Sequence, residues 1–111
     1  LDMHSNNIGV QGYKWLSESL KVNNSLTSIN LSKNEAGAEG YKWLSEALRI
    51  NKSLTYLNLT ETKPEPEGCK WLSEALKINK SLKHLNLYNN IIDSKWLGEA
   101  LKMNNSLTIL N

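Results

Sequence analysis

Phenylalanine is absent from this 111-residue chain, and cysteine occurs once, at Cys69. A single cysteine excludes an internal disulfide, so packing and hydrogen bonds must hold the fold, and a reducing, cytoplasmic setting is expected. Charge of one sign is equally scarce: 13 Lys and Arg face 11 Asp and Glu, for a net +2. The basic residues recur singly instead of gathering on one stretch, which argues against nucleic acid as a partner. No apolar run approaches the length of a membrane span, and no signal-peptide pattern is present, so no membrane partner is expected. No Ser/His/Asp arrangement and no phosphate-cradling glycine loop occurs. The expectation is therefore a protein that is not an enzyme, with no cofactor.

What the chain does have is a period. Trp15, Trp43, Trp71 and Trp96 are spaced by 28, 28 and 25 residues. Leu26, Leu54, Leu82 and Leu107 keep the same spacing. Residues 26–53 and 54–81, aligned without gaps, share 17 identities in 28 positions. Self-similarity of this kind is an architecture of stacked units.

Each unit has two halves. The first reads Leu26-Thr-Ser-Ile29-Asn-Leu31-Ser-Lys-Asn34, and returns from Leu54 to Thr62 and from Leu82 to Asn90. Its inner apolar pair alternates with polar residues, the mark of a half-buried strand. Strands are predicted near 1–3, 26–31, 54–59, 82–87 and 107–111. The second half places Tyr41, Leu44, Ala47 and Leu48 on one helical stripe, and the segments Gly40–Asn51 and Gly68–Asn79 read as helices. Asn23, Asn51, Asn79 and Asn104 follow the last apolar residue, where Asn can adopt the left-handed cap conformation. Lys21, Arg49, Lys77 and Lys102 sit in the last turn, favourable to the helix dipole. One strand and one helix cannot bury a core alone, so neighbouring units must stack with parallel strands on one side and helices on the other.

These residues, L-x-x-L-x-L-x-x-N followed by G-x-x-x-L-x-x-A-L-x-x-N-x-S-L, resemble leucine-rich repeats of the ribonuclease-inhibitor-like class, and look most like those of NOD-like receptors. The resemblance spans essentially the whole chain. It implies an α/β fold, a right-handed solenoid curved into a horseshoe, with strands on the concave face and helices on the convex face. Residues 1–111 then form one repeat domain of about four units of 25–28 residues without capping units, read as an excerpt of a longer protein. The implied function is a protein–protein interaction scaffold, the sensing or docking part of a larger protein. The alternative is an enzyme regulator of the GTPase-activating or ribonuclease-inhibitor type. The first of these would need an arginine finger, and the only arginine, Arg49, ends a helix.

The chain departs from that pattern in one region. Thr62 replaces the repeat asparagine, and Pro64 and Pro66 follow in the loop 61–67. The fourth helix arrives three residues early, and Asp93 or Ser94 is placed to cap it.

Strand positions pointing away from the core form three columns. One holds Asp2, Asn30, Asn58, Asn86 and Asn111; a second Ser28, Tyr56, His84 and Ile109; a third His4, Ser32, Thr60 and Tyr88. Tyrosine offers both contact area and a hydroxyl, so Tyr56, Asn58, Thr60, His84, Asn86 and Tyr88 are the candidate protein-binding residues on the concave face. The asparagine column also reads as a feature of the repeat itself. The tryptophans flank the apolar stripe and are expected to pack against one another. No metal site is expected: His4 and His84 lie three strands apart, about 14 Å, whereas metal ligands sit about 2 Å from the ion. Cys69 reads as a partly buried spacer. Six N-x-S/T sequences, at Asn23, Asn30, Asn51, Asn58, Asn79 and Asn104, follow from the repeat and not from glycosylation.

Overall fold

Two or three residues of extended chain are enough for a unit to add a strand to the sheet. A computed structural model describes residues 1–111. Its elements run α1 (Gly9–Val22), β1 (Ser28–Asn30), α2 (Gly37–Ile50), β2 (Tyr56–Asn58), α3 (Glu65–Ile78), β3 (His84–Asn86), α4 (Ser94–Met103) and β4 (Ile109–Leu110). The strands pair in parallel in chain order, with Ile29 opposite Leu57 and Leu57 opposite Leu85. Residues 1–3 contribute only a single bridge, Asp2 to Asn30, and not a full strand. Each strand is shorter than the sequence pattern suggests because the flanking leucines turn inward. Leu54 and Leu59, on either side of β2, are fully buried.

The expectation of a right-handed leucine-rich-repeat solenoid curved into a horseshoe is corrected by the shape. The molecule is a compact α/β domain with extents of 32 × 29 × 19 Å and a radius of gyration of 12.2 Å. Four strands at about 4.8 Å spacing spread a sheet over only about 14 Å, too little for an arc to develop. The concave groove goes with the horseshoe, and no residue of β1 to β4 lines any of the surface clefts.

The helices begin earlier than the predicted Gly40 and Gly68, at Gly37 and Glu65. Their first residues take a left-handed backbone: Gly9 at φ +68°, Gly37 at +63° and Glu65 at +61°. Glycine adopts this freely, whereas Glu65 does so at some strain. Its carboxylate answers by accepting a hydrogen bond from the Ala38 N–H at 3.0 Å, in the first turn of α2. Three of the seven residues of the expected loop 61–67 are therefore helix. Pro66 falls in the first turn of α3, where a missing N–H leaves nothing unpaired.

The core is aliphatic with two tyrosines set into it. Tyr13 and Tyr41 are fully buried. The Tyr13 hydroxyl donates to the Asn34 carbonyl at 2.8 Å. Thr62 spends its one hydroxyl proton on the Leu59 carbonyl at 2.7 Å, so the Tyr41 hydroxyl donates to Thr62 Oγ1, also at 2.7 Å. Burial pushes both phenols above their ordinary range. The folded state thus holds them neutral, while the unfolded chain ionises them near pH 10. Their contribution to stability is complete below about pH 10 and falls as pH rises beyond it. Thermal melts from pH 8 to 11.5 are expected to show this decline, and the pair Tyr13→Phe plus Tyr41→Phe should flatten it. An unchanged slope in that variant would assign the alkaline loss to other groups.

The asparagines ending each helix are not left-handed caps. Asn51 is extended, at φ −65° and ψ 133°, as are its equivalents. Their side chains work instead. Asn51 Oδ1 accepts from the Ser53 and Leu54 N–H groups at 3.0 and 2.8 Å, closing the turn into β2. Its Nδ2 donates backwards to the Leu20 and Asn23 carbonyls of the previous unit at 2.9 and 3.1 Å. Asn79 and Asn104 repeat this.

Candidate functional site

The strand register brings Ser28, Tyr56, His84 and Ile109 into one column. Tyr56 and His84 touch edge to face, ring centroids 4.8 Å apart and planes at 74°. Asn111 Nδ2 lies 3.3 Å from His84 Nε2 on the far side, so the imidazole is held between two neighbours. Tyr88 stands one turn beyond β3 and is 67% exposed. Thr60 is half-buried and Ser32 is buried, so the third column is open only at its Tyr88 end and at His4.

The asparagine column has a double character. Asn30, Asn58 and Asn86 each accept through Oδ1 from the N–H two residues on, at 3.0, 3.0 and 2.9 Å. Asp2 does the same for His4, and these contacts hold its carboxyl below the usual range. The oxygens are therefore committed to the turn after each strand. The amide Nδ2 groups make no hydrogen bond within the protein, which leaves a row of donors beside the Tyr56–His84 column. The structure thus brings Tyr56, Asn58, His84 and Asn86 together directly, with Tyr88 at the edge and Thr60 half-covered.

The helical side differs from expectation. The tryptophans do not pack against one another. Three of the four carry a lysine from the preceding helix: Lys14 lies 5.2 Å from the Trp43 ring centre, Lys42 5.5 Å from Trp71 and Lys70 5.5 Å from Trp96. The order follows from spacing, since each lysine precedes its helix's tryptophan by one residue and so leans toward the next unit. At an exposed site a pair of this type contributes about 0.5–1 kcal/mol. Trp15 is 63% exposed.

Cys69, expected to be partly covered, is buried, and its Sγ faces the Ile91 carbonyl at 3.8 Å. Beside it opens a feature that the sequence reading missed, a cleft of about 680 Å³ between residues 63–66 and 89–93. No three His, Cys, Asp or Glu side chains gather as a metal site would require. No helix is long and apolar enough to cross a membrane.

The chain superposes on a solved structure described as "Leiomodin-1 Actin-Binding Site 2 (ABS2)" with a TM-score of 0.88, covering 99% of this chain and 68% of that one at 24% identity. At that identity the likeness concerns the fold alone. No family model matches the chain, and no curated protein matches it. The expected membership among ribonuclease-inhibitor-like and NOD-like-receptor leucine-rich repeats is corrected by this match. The ligand-sensing, ribonuclease-inhibitor and GTPase-activating readings that rested on it go as well. The physical reason is plain: a hydrophobic period reports how units stack, and it does not report which lineage or ligand the stack serves.

Proposed function

We propose that this chain is a non-catalytic protein-binding domain that meets its partner through the strand face around Tyr56, Asn58, Thr60, His84, Asn86 and Tyr88, and that actin is the partner to test first. The observation that carries the reading is the clamped Tyr56–His84 pair, flanked by the amide donors of Asn58 and Asn86. Aromatic groups already held in place lose little freedom on binding, which keeps the entropic cost of association low. Free amide donors suit a partner surface rich in carbonyl or carboxylate oxygen. Actin enters because the solved structure with the same fold is described as an actin-binding site. A cytoplasmic setting follows from the same proposal.

Titration calorimetry with actin tests it. Micromolar binding is expected, with Tyr56→Ala plus Tyr88→Ala weakening it by more than about 1 kcal/mol. Lys42→Ala and Lys70→Ala on the helical side should change affinity by less than about twofold. The reverse ranking would move the binding surface to the helices. No detectable heat at high concentration would remove actin as the partner.

A further inference from the structure

The cleft beside Cys69 has an internal explanation, which also says what it fits. In the first two units the same helix position is a tyrosine. Tyr13 packs its ring against the place where α2 presents Gly40, and Tyr41 against Gly68 of α3. In the third unit this position is Cys69. Three further changes coincide there. The spacing to the next helix is three residues shorter. α4 has 10 residues against 14 in α3 and lacks the first turn. Asp93 stands where the glycine would be, and its carboxylate is turned to cap α4 through the Lys95 N–H at 3.0 Å. The phenol is missing, and so is the turn that would close over it.

What remains is lined by Pro64, Pro66, Cys69, Ile91 and Ile92. Ile91 is 94% exposed at the mouth. The Asn90 carbonyl is the counterpart of the Asn34 carbonyl, which takes the Tyr13 hydroxyl. It accepts no hydrogen bond from the chain. The volume of about 680 Å³ falls within the range of small-molecule sites, roughly 300–1,000 Å³. Apolar space left by a missing side chain can take up a small apolar or aromatic molecule.

We propose that this cleft is a binding site for a small phenolic ligand, which takes the place that Tyr13 and Tyr41 fill in the neighbouring units and donates its hydroxyl to the Asn90 carbonyl. The chemical class is set by the two tyrosines, and the hydroxyl separates a phenol from a plain aromatic. The site uses none of the strand-face residues, so it stands or falls independently of the partner proposed above.

The probe is p-cresol, the tyrosine side chain as a free molecule, followed by amide chemical shifts in two-dimensional NMR. Saturable shifts confined to Cys69, Ile91, Ile92 and their neighbours are expected, with a dissociation constant on the order of a millimolar, within reach of so small a ligand. Toluene should bind several-fold more weakly. Cys69→Tyr places a phenol in the cleft from within and should abolish the shifts. Ile91→Lys, at an exposed position that does not disturb folding, should weaken binding ~10-fold. Linear, unsaturating shifts spread over the surface would overturn the proposal. So would wild-type affinity in Cys69→Tyr. Should that variant fail to fold, unchanged affinity in Ile91→Lys overturns it alone.

Discussion

Leu57→Ala is expected to lower the free energy of unfolding by about 2–5 kcal/mol, the range for truncating a buried leucine where the surroundings relax only in part. Leu57 is completely buried at the centre of β2, with Ile29 opposite on one side and Leu85 on the other. Strands on both sides fix the backbone, so the site cannot collapse to refill the volume. Domains of this size are stable by only about 5–15 kcal/mol, and the loss should therefore be visible as a large fall in the denaturation midpoint. The neighbouring residue is the internal control. Tyr56 points out of the same strand, and Tyr56→Ala should cost under about 1 kcal/mol. Because side chains alternate along a strand, a one-residue error in register would exchange the two results. Urea denaturation of both variants decides the matter. A loss below about 1 kcal/mol for Leu57→Ala would sink the assigned register.

That register was legible because it rests on periods of two and 28, which survive in a bare sequence. The strand cores at Ile29, Leu57 and Leu85 and the buried stripe of Tyr41, Leu44, Ala47 and Leu48 fall where the pattern puts them. The horseshoe did not follow. Curvature is a property of many stacked units, and no local pattern states how far it develops in four. Membership did not follow either, because the leucine spacing encodes packing and the partner is chosen by residues that the period leaves free. Helix starts were misplaced by three residues, since left-handed backbone at Gly37 and Glu65 permits an extra turn that apolar spacing does not mark. On the strand face, the columns were readable, whereas the division of Asn58 and Asn86 into a committed oxygen and a free amide needed coordinates. The cleft was nearest to being read. Cys69 in a tyrosine column, two prolines and a shortened spacing are all visible in the sequence. Only the fold shows that they border one space.

The second large effect is expected at Asn51, a polar residue whose loss should rival that of a core leucine. Asn51 is 5% exposed and makes contacts on both sides of a unit boundary. Its oxygen satisfies the Ser53 and Leu54 N–H groups, and its amide satisfies the carbonyls of Leu20 and Asn23, 31 and 28 residues earlier. Alanine removes all four partners at once. A buried group left unpaired costs roughly 1–3 kcal/mol, and water regains access to some of the four, so Asn51→Ala should destabilise by about 3 kcal/mol. Asn51→Asp keeps the acceptor and turns a carboxylate toward two carbonyls, so it should be no better tolerated. Asn23 supplies the comparison. It makes the same turn contacts to Ser25 and Leu26 at 3.0 and 2.7 Å, but it is exposed and its amide reaches no earlier unit. Water can replace those bonds, and Asn23→Ala should cost under about 1 kcal/mol. The difference between the two variants measures what the backward-reaching amide contributes to joining one unit to the next. Equal losses in chemical denaturation would mean that the asparagines only close turns, and that leucine packing alone holds the units together.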